Sequence, residues 1–76
     1  MTKAELYSEL EELLEIKPGT IQGKETLREL SGWDSMAVLS IIAMVDEKLG
    51  EVVSPSALAE CKTVLDLANL FPGKII

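Results

Sequence analysis

Apolar residues in the first segment of the chain recur at spacings of three and four, the period of an amphipathic helix. The apolar positions are Leu6, Leu10, Leu13 and Leu14, and the acidic positions between them are Glu5, Glu9, Glu11, Glu12 and Glu15. Thr2 and Glu5 form a capping-box pattern, and Pro18-Gly19 is typical of a helix end. We therefore predict a first helix that buries its leucines and exposes its glutamates to solvent.

A long connection, residues 17–32, follows this first helix and contains two glycines after Pro18. A loop of this length in a small domain usually has some structure of its own. Thr26 and Glu29 repeat the capping-box pattern, and Leu27 and Leu30 lie three residues apart. The pattern predicts one short helical turn whose two leucines enter the core.

The most apolar segment runs from about Ser35 to Leu49 and predicts the central helix, with Gly50 at its end. Its broad apolar stripe consists of Val38, Leu39, Ile41, Ile42, Val45 and Leu49. The opposite stripe consists of Met36, Ser40, Ala43 and Glu47. Because this second stripe is small and mostly neutral, we expect it to be exposed.

Two further helices are predicted near the end of the chain. Ser54-Pro55 is a strong helix start and opens a short helix, Pro55 to about Glu60, that contributes Leu58 to the core. A capping-box pattern from Thr63 to Asp66 opens the last helix. Its buried face is predicted to be Val64, Leu67, Ala68 and Phe71, with Pro72-Gly73 at its end and a loose tail at residues 74–76. The fold class is therefore all-α, with three longer helices and one short third helix in a single domain, residues 1–76.

Composition narrows the possible partners. The chain is 47% hydrophobic with a net charge of −6 and a pI near 4.4. This charge argues against nucleic acids and anionic membranes, which bind clustered Lys and Arg. Cys61 is the only cysteine, so no internal disulfide can form. With no signal-peptide pattern at the N-terminus and no apolar run long enough to span a bilayer, we expect a cytoplasmic protein.

Histidine is absent from the chain, which removes the commonest general base and metal ligand. Ser-His and Cys-His nucleophile pairs are therefore impossible within this chain. Cys61 is more typical of a small core residue than of a nucleophile. The sequence also contains no glycine-rich phosphate loop and no metal-ligand spacing. We predict that the chain binds no metal and is not an enzyme acting alone.

The start of the central helix carries the candidate chemistry. Either Asp34 or Ser35 can cap this helix. If Asp34 is the cap, the Ser35 hydroxyl faces solvent on the first turn, where a phosphate ester would meet a favourable field. Trp33 has two interpretations: a side chain that packs beneath the end of the loop, which we favour, or an exposed ring beside the site.

The segment Leu30-Ser31-Gly32-Trp33-Asp34-Ser35-Met36, followed by Val38-Leu39 and an aliphatic helix, resembles the attachment site of acyl carrier proteins. That family usually has Asp-Ser-Leu at this point, and Trp before the Asp is one of its common variants. Met36 replaces the usual leucine. The resemblance extends over essentially the whole chain, and it implies an acyl-carrier-like four-helix bundle with a long first loop.

The resemblance also implies a function. Ser35 would be esterified with 4'-phosphopantetheine by a phosphopantetheinyl transferase, which uses coenzyme A and magnesium, while Asp34 caps the helix beside it. The arm would hold an acyl group as a thioester for an acyl-loading ligase, synthase or acyltransferase of fatty acid, lipid or polyketide-type biosynthesis. The protein would act as a monomer. The candidates to border a space for the acyl chain are Val38, Leu39, Ile42, Val45 and Leu58, for which plain core packing is the simpler interpretation.

Docking is where this chain departs from fatty-acid-type carriers. Those relatives usually have acidic residues just after the attachment serine, whereas this chain has Ala37 and Ser40. The candidate recognition residues are Trp33, Met36, Ala37, Ser40, Ala43 and Glu47. A near-neutral face predicts a specialised carrier whose partner lacks a strongly basic patch. The alternatives are an aminoacyl or peptidyl carrier and an unmodified helical adaptor that binds other proteins.

Overall fold

The structure is a computed structural model that describes residues 1–76 and contains no β-strand. Its α-helices are α1 (Lys3–Leu14), α2 (Ser35–Leu49), α3 (Pro55–Glu60) and α4 (Val64–Ala68), and the short 3-10 helix is Leu27–Glu29. The all-α fold and the order of its helices are confirmed. Because α4 has only 5 residues, the prediction of three longer helices is wrong, and two long helices accompany two short ones. None of these helices has the length and hydropathy needed to cross a bilayer.

One cluster of 19 buried residues forms the core. Its largest fully buried side chains come from every helix: Leu6, Leu10, Leu27, Ile41, Val45, Leu58, Val64 and Leu67. The predicted helical turn in the long connection exists as the 3-10 helix, and both Leu27 and Leu30 are buried. Thr26 makes no side-chain capping hydrogen bond, so that detail of the prediction is wrong.

Helix α1 ends earlier than predicted, and one of its glutamates is buried. Glu15, with a φ of 58°, ends the helix in the left-handed conformation before Pro18 is reached. The connection then folds back over α1, and Glu11 is only 5% exposed. Its Oε2 accepts hydrogen bonds from the N–H groups of Gly19 (2.9 Å) and Ile21 (2.8 Å). The predicted solvated face is therefore wrong at Glu11, because the loop covers it.

Helix α2 is rotated relative to the orientation predicted from its pattern. Its buried residues are Ala37, Ile41, Met44, Val45 and Leu49. Leu39 is 58% exposed although the apolar stripe placed it in the core, and Ala37 is 5% exposed although we expected it on the recognition face. Both predictions are wrong. Val38 and Ile42 are half-buried against the edge of the core.

The predicted caps hold the helix ends in place. Thr2 and Glu5 form a capping box on α1, Ser54 caps α3, and Thr63 and Asp66 form a capping box on α4. The N–H groups of Thr63 and Lys62 both donate to Asp66 Oδ2, each at 3.0 Å. These hydrogen bonds favour the charged carboxylate and lower the pKa of Asp66 below its ordinary value. The cap is therefore fully ionised at neutral pH.

The ends of the chain pair with each other, so the prediction of a loose tail is wrong. The N–H of Lys3 donates a hydrogen bond to the carbonyl oxygen of Ile76 at 2.9 Å. The N–H of Ile76 donates to the carbonyl oxygen of Met1 at 3.0 Å. The Met1 ammonium donates to the carbonyl oxygen of Lys74. Ile75 is buried in the core, which fixes the tail against α1.

Candidate functional site

Ser35 is the first residue of α2 and is exposed. The preceding residue, Asp34, is the cap: its Oδ1 accepts a hydrogen bond from the N–H of Ala37 at 2.8 Å. The backbone N–H groups of Ser35 and Met36 have no partner within the protein. An anion attached to the Ser35 hydroxyl would therefore lie beside free donors at the positive end of a helix of 15 residues.

The turn before Ser35 packs closely against the end of α1. Gly32 has a φ of 83°, a conformation that residues with a side chain rarely adopt. A Cβ atom at Gly32 would lie 2.9 Å from the carbonyl oxygen of Leu14. The N–H of Trp33 also donates to the carbonyl oxygen of Leu30 at 3.2 Å. These contacts fix the direction in which the chain enters α2, a role for Gly32 that its place in the sequence did not reveal.

We expect Gly32→Ala to destabilise the fold about twice as much as Gly73→Ala. The two glycines have nearly the same φ, 83° and 84°. This left-handed backbone conformation costs a residue with a side chain roughly 1–2 kcal/mol of stability. Only Gly32 adds a clash, because nothing lies within 4 Å of a Cβ at Gly73. Urea unfolding of both variants measures the two free energies, and equal losses would contradict the close approach to α1.

A groove of about 200 Å³ lies beside the site. Its lining residues are Arg28, Trp33, Val38, Pro55, Leu58, Ala59 and Cys61. Trp33 is half-buried, since its ring also packs against the core cluster. The structure therefore brings together Trp33 and two of the residues proposed to border an acyl chain, Val38 and Leu58.

The other acyl-pocket candidates lie elsewhere. Val45 is fully buried in the core, Ile42 packs against the core cluster, and Leu39 faces solvent.

Cys61 lines the groove and is buried, as its pattern predicted. Burial raises the pKa of the Cys61 thiol, and the nearby charges of Asp66 and Glu60 raise it further. This thiol is therefore protonated and unreactive at neutral pH.

Most of the predicted recognition residues share the outer face of α2. Met36, Ser40, Ala43 and Glu47 are all exposed, and Met36 is 68% exposed. Leu39 joins this exposed face, whereas Ala37 lies beneath it.

A shallow groove of about 350 Å³ separates this face from α1. Ser40, Ala43 and Glu47 line one side of it, and Glu9 and Glu12 line the other. The Nζ atom of Lys48 lies 3.4 Å from Glu9 Oε1, the only ion pair in the structure. The acidic residues near the face thus come mainly from α1, with Glu47 at the end of α2.

Comparison with protein-family models gave a match that covers this site. A family model described as "Phosphopantetheine attachment site" matches residues 4–71, which include Ser35 and the whole of α2. Searches of curated proteins and of solved structures gave no match.

Proposed function

Because the chain belongs to the phosphopantetheine attachment-site family, we propose that Ser35 is the residue that carries the prosthetic group. Members of this family carry 4'-phosphopantetheine and act as carriers rather than catalysts. The exposed Ser35 hydroxyl on the first turn of α2 is the observation that supports this assignment. The site fits a phosphodiester, since the free N–H groups of Ser35 and Met36 can donate to it while Asp34 is occupied by its cap.

The cargo proposed is an acyl group, delivered to enzymes of fatty acid, lipid or polyketide-type biosynthesis. The bound group supplies a terminal thiol, on which the acyl group is held as a thioester activated for transfer. The chain's own residues attach the arm, orient its first atoms and dock the partners. Tethering raises the effective concentration of the cargo at a docked enzyme. An aminoacyl or peptidyl cargo would use the same site, and an unmodified adaptor would use the outer face of α2 alone.

The test of the carrier function is the intact mass after incubation with coenzyme A, magnesium and a broad-specificity phosphopantetheinyl transferase. We expect a gain of about 340 Da, the mass of the arm, and fragment masses that place it on Ser35. The absence of any gain, while a control carrier is modified in the same tube, would favour the adaptor.

Partners of the family include phosphopantetheinyl transferases and biosynthetic enzymes. We infer that they dock on the outer face of α2, through the exposed apolar side chains of Met36 and Leu39, one and four residues after Ser35. Near Ser35 this face has Ser40 and Ala43 in place of the acidic residues of fatty-acid-type carriers, and its acidic residue Glu47 lies near the other end of α2. The proposed partner is therefore a dedicated enzyme without a strongly basic patch, and the carrier is proposed to act as a cytoplasmic monomer of one domain.

We expect Leu39→Ser to lower the rate constant kcat/KM of modification by the transferase about tenfold, the effect of losing roughly 1.4 kcal/mol at an interface. Val52→Ser is the matched control, because Val52 is 90% exposed beyond the far end of α2 and should leave the rate unchanged. A kinetic mass assay of both variants measures this. Equal rates for Leu39→Ser and the wild type would place docking elsewhere.

A further inference from the structure

Arg28 is the only arginine of the chain, and it lies at the groove beside the attachment site. Its Nη2 donates a hydrogen bond to the carbonyl oxygen of Ala59 at 2.8 Å, which holds the guanidinium against the end of α3. No carboxylate lies within 4.0 Å of it, although the chain has 13 acidic residues. The remaining N–H groups of the guanidinium are therefore free to bind an anion.

The groove itself suits a short apolar chain. Trp33, Val38 and Leu58 provide apolar walls, and these walls begin within three residues of Ser35 on either side. Its volume of about 200 Å³ is comparable to an apolar cavity of about 150 Å³ that binds benzene. A chain of about four to six carbon atoms fills such a space, and a longer one extends beyond it.

A space for the cargo is what the resemblance to acyl carrier proteins already implies, and we propose that Arg28 makes this groove selective for short acyl groups that end in a carboxylate. The proposal rests on the attachment of the arm to Ser35. The single bonds of the arm allow it to fold back, so that the apolar part of the cargo lies against Trp33 and Leu58. A guanidinium binds a carboxylate through two parallel hydrogen bonds. The chain has 13 acidic residues against 7 basic ones, so its net charge of −6 disfavours such a group in general.

The phosphodiester on Ser35 is a second anion that Arg28 could bind, so the experiment has to separate the two sources. We would load Ser35 from coenzyme A derivatives with hydrolysis-resistant glutaryl and valeryl groups. These two groups have the same number of carbon atoms and differ in the terminal carboxylate. Intact mass verifies loading, and Trp33, the only tryptophan, reports on the groove by its fluorescence.

The expected result is a Tm about 4 °C higher for the glutaryl form than for the valeryl form, with a change in Trp33 emission in the glutaryl form. Arg28→Gln should remove this difference. Lys17→Gln is the matched control, because it also removes one positive charge but Lys17 lines no groove, and it should keep the difference. Both cargoes are compared on the same variant, so a general loss of stability cancels.

Three outcomes would overturn the inference. They are equal Tm values for the two loaded forms of the wild type, a difference that survives Arg28→Gln, and an effect of Arg28→Gln that is the same for the unacylated, valeryl and glutaryl forms. The last outcome, if the effect is absent from the protein without the arm, would assign Arg28 to the phosphodiester. A protein that is not loaded at all would overturn the carrier function itself, and the mass measurement distinguishes that failure from the other three.

Discussion

Replacing Ser35 with alanine should abolish the mass gain of about 340 Da that the transferase produces in the wild-type protein. Alanine has no hydroxyl to accept the phosphodiester. The Ser35 side chain makes no hydrogen bond in the protein, and the cap of α2 is supplied by Asp34. The variant should therefore fold normally, with a stability within about 0.5 kcal/mol of the wild type.

Two neighbouring serines provide the controls for this experiment. Ser31 precedes the site and Ser40 follows it on α2, and both are exposed. Ser31→Ala and Ser40→Ala should each keep the full mass gain, with circular dichroism to verify that all three variants are folded. A mass gain that persists in Ser35→Ala, or is lost in Ser31→Ala, would move the attachment site away from the start of α2.

Replacing Glu11 with alanine should produce the largest loss of stability of any acidic residue in the chain, about 3 kcal/mol. Glu11 is the only buried charged residue, and its carboxylate accepts hydrogen bonds from the N–H groups of Gly19 and Ile21. A hydrogen bond to a charged group contributes about 1.5–3 kcal/mol, and a buried donor left without a partner costs a similar amount. In a domain of this size the Tm should fall by more than about 10 °C.

Glu12→Ala is the matched control, because it removes the same charge from the same helix at an exposed position. Its effect should stay within about 0.5 kcal/mol. Urea unfolding followed by circular dichroism measures both variants. Hydrogen exchange of the Gly19 and Ile21 amides shows whether the loop opens in Glu11→Ala, and equal stabilities of the two variants would contradict the structural role of Glu11.

The sequence determined the helix starts and the position of the proposed attachment residue. The N–H of Glu5 donates to Thr2 Oγ1 and the N–H of Asp66 donates to Thr63 Oγ1, and each hydrogen bond joins residues three positions apart. Such contacts depend only on residues that are close in the chain, so a local pattern is enough to predict them. For the same reason the place of Ser35 after the Asp34 cap was predictable, and the motif around it pointed to the family.

The rotation of α2 was not predictable from its pattern. This helix is apolar around most of its circumference, so its sequence does not define a single buried face. Packing against α1 and α3 decided that Ala37 and Met44 are buried and that Leu39 is exposed. Leu39 consequently lies on the exposed face that we propose for docking rather than beside an acyl pocket, and the functional interpretation of α2 changes with it.

The remaining differences come from contacts between residues that are distant in the chain. Glu11 is buried because the loop at Gly19 and Ile21 folds over it, and Arg28 lies at the groove because it reaches the end of α3 at Ala59. The tail is ordered because Ile76 pairs with Met1. The sequence by itself therefore determined which segments are helical and which serine is the candidate for attachment, because it follows the cap of α2. Only the tertiary structure decided which side chains face the core, the groove and the solvent, because burial depends on neighbours that the local pattern does not contain.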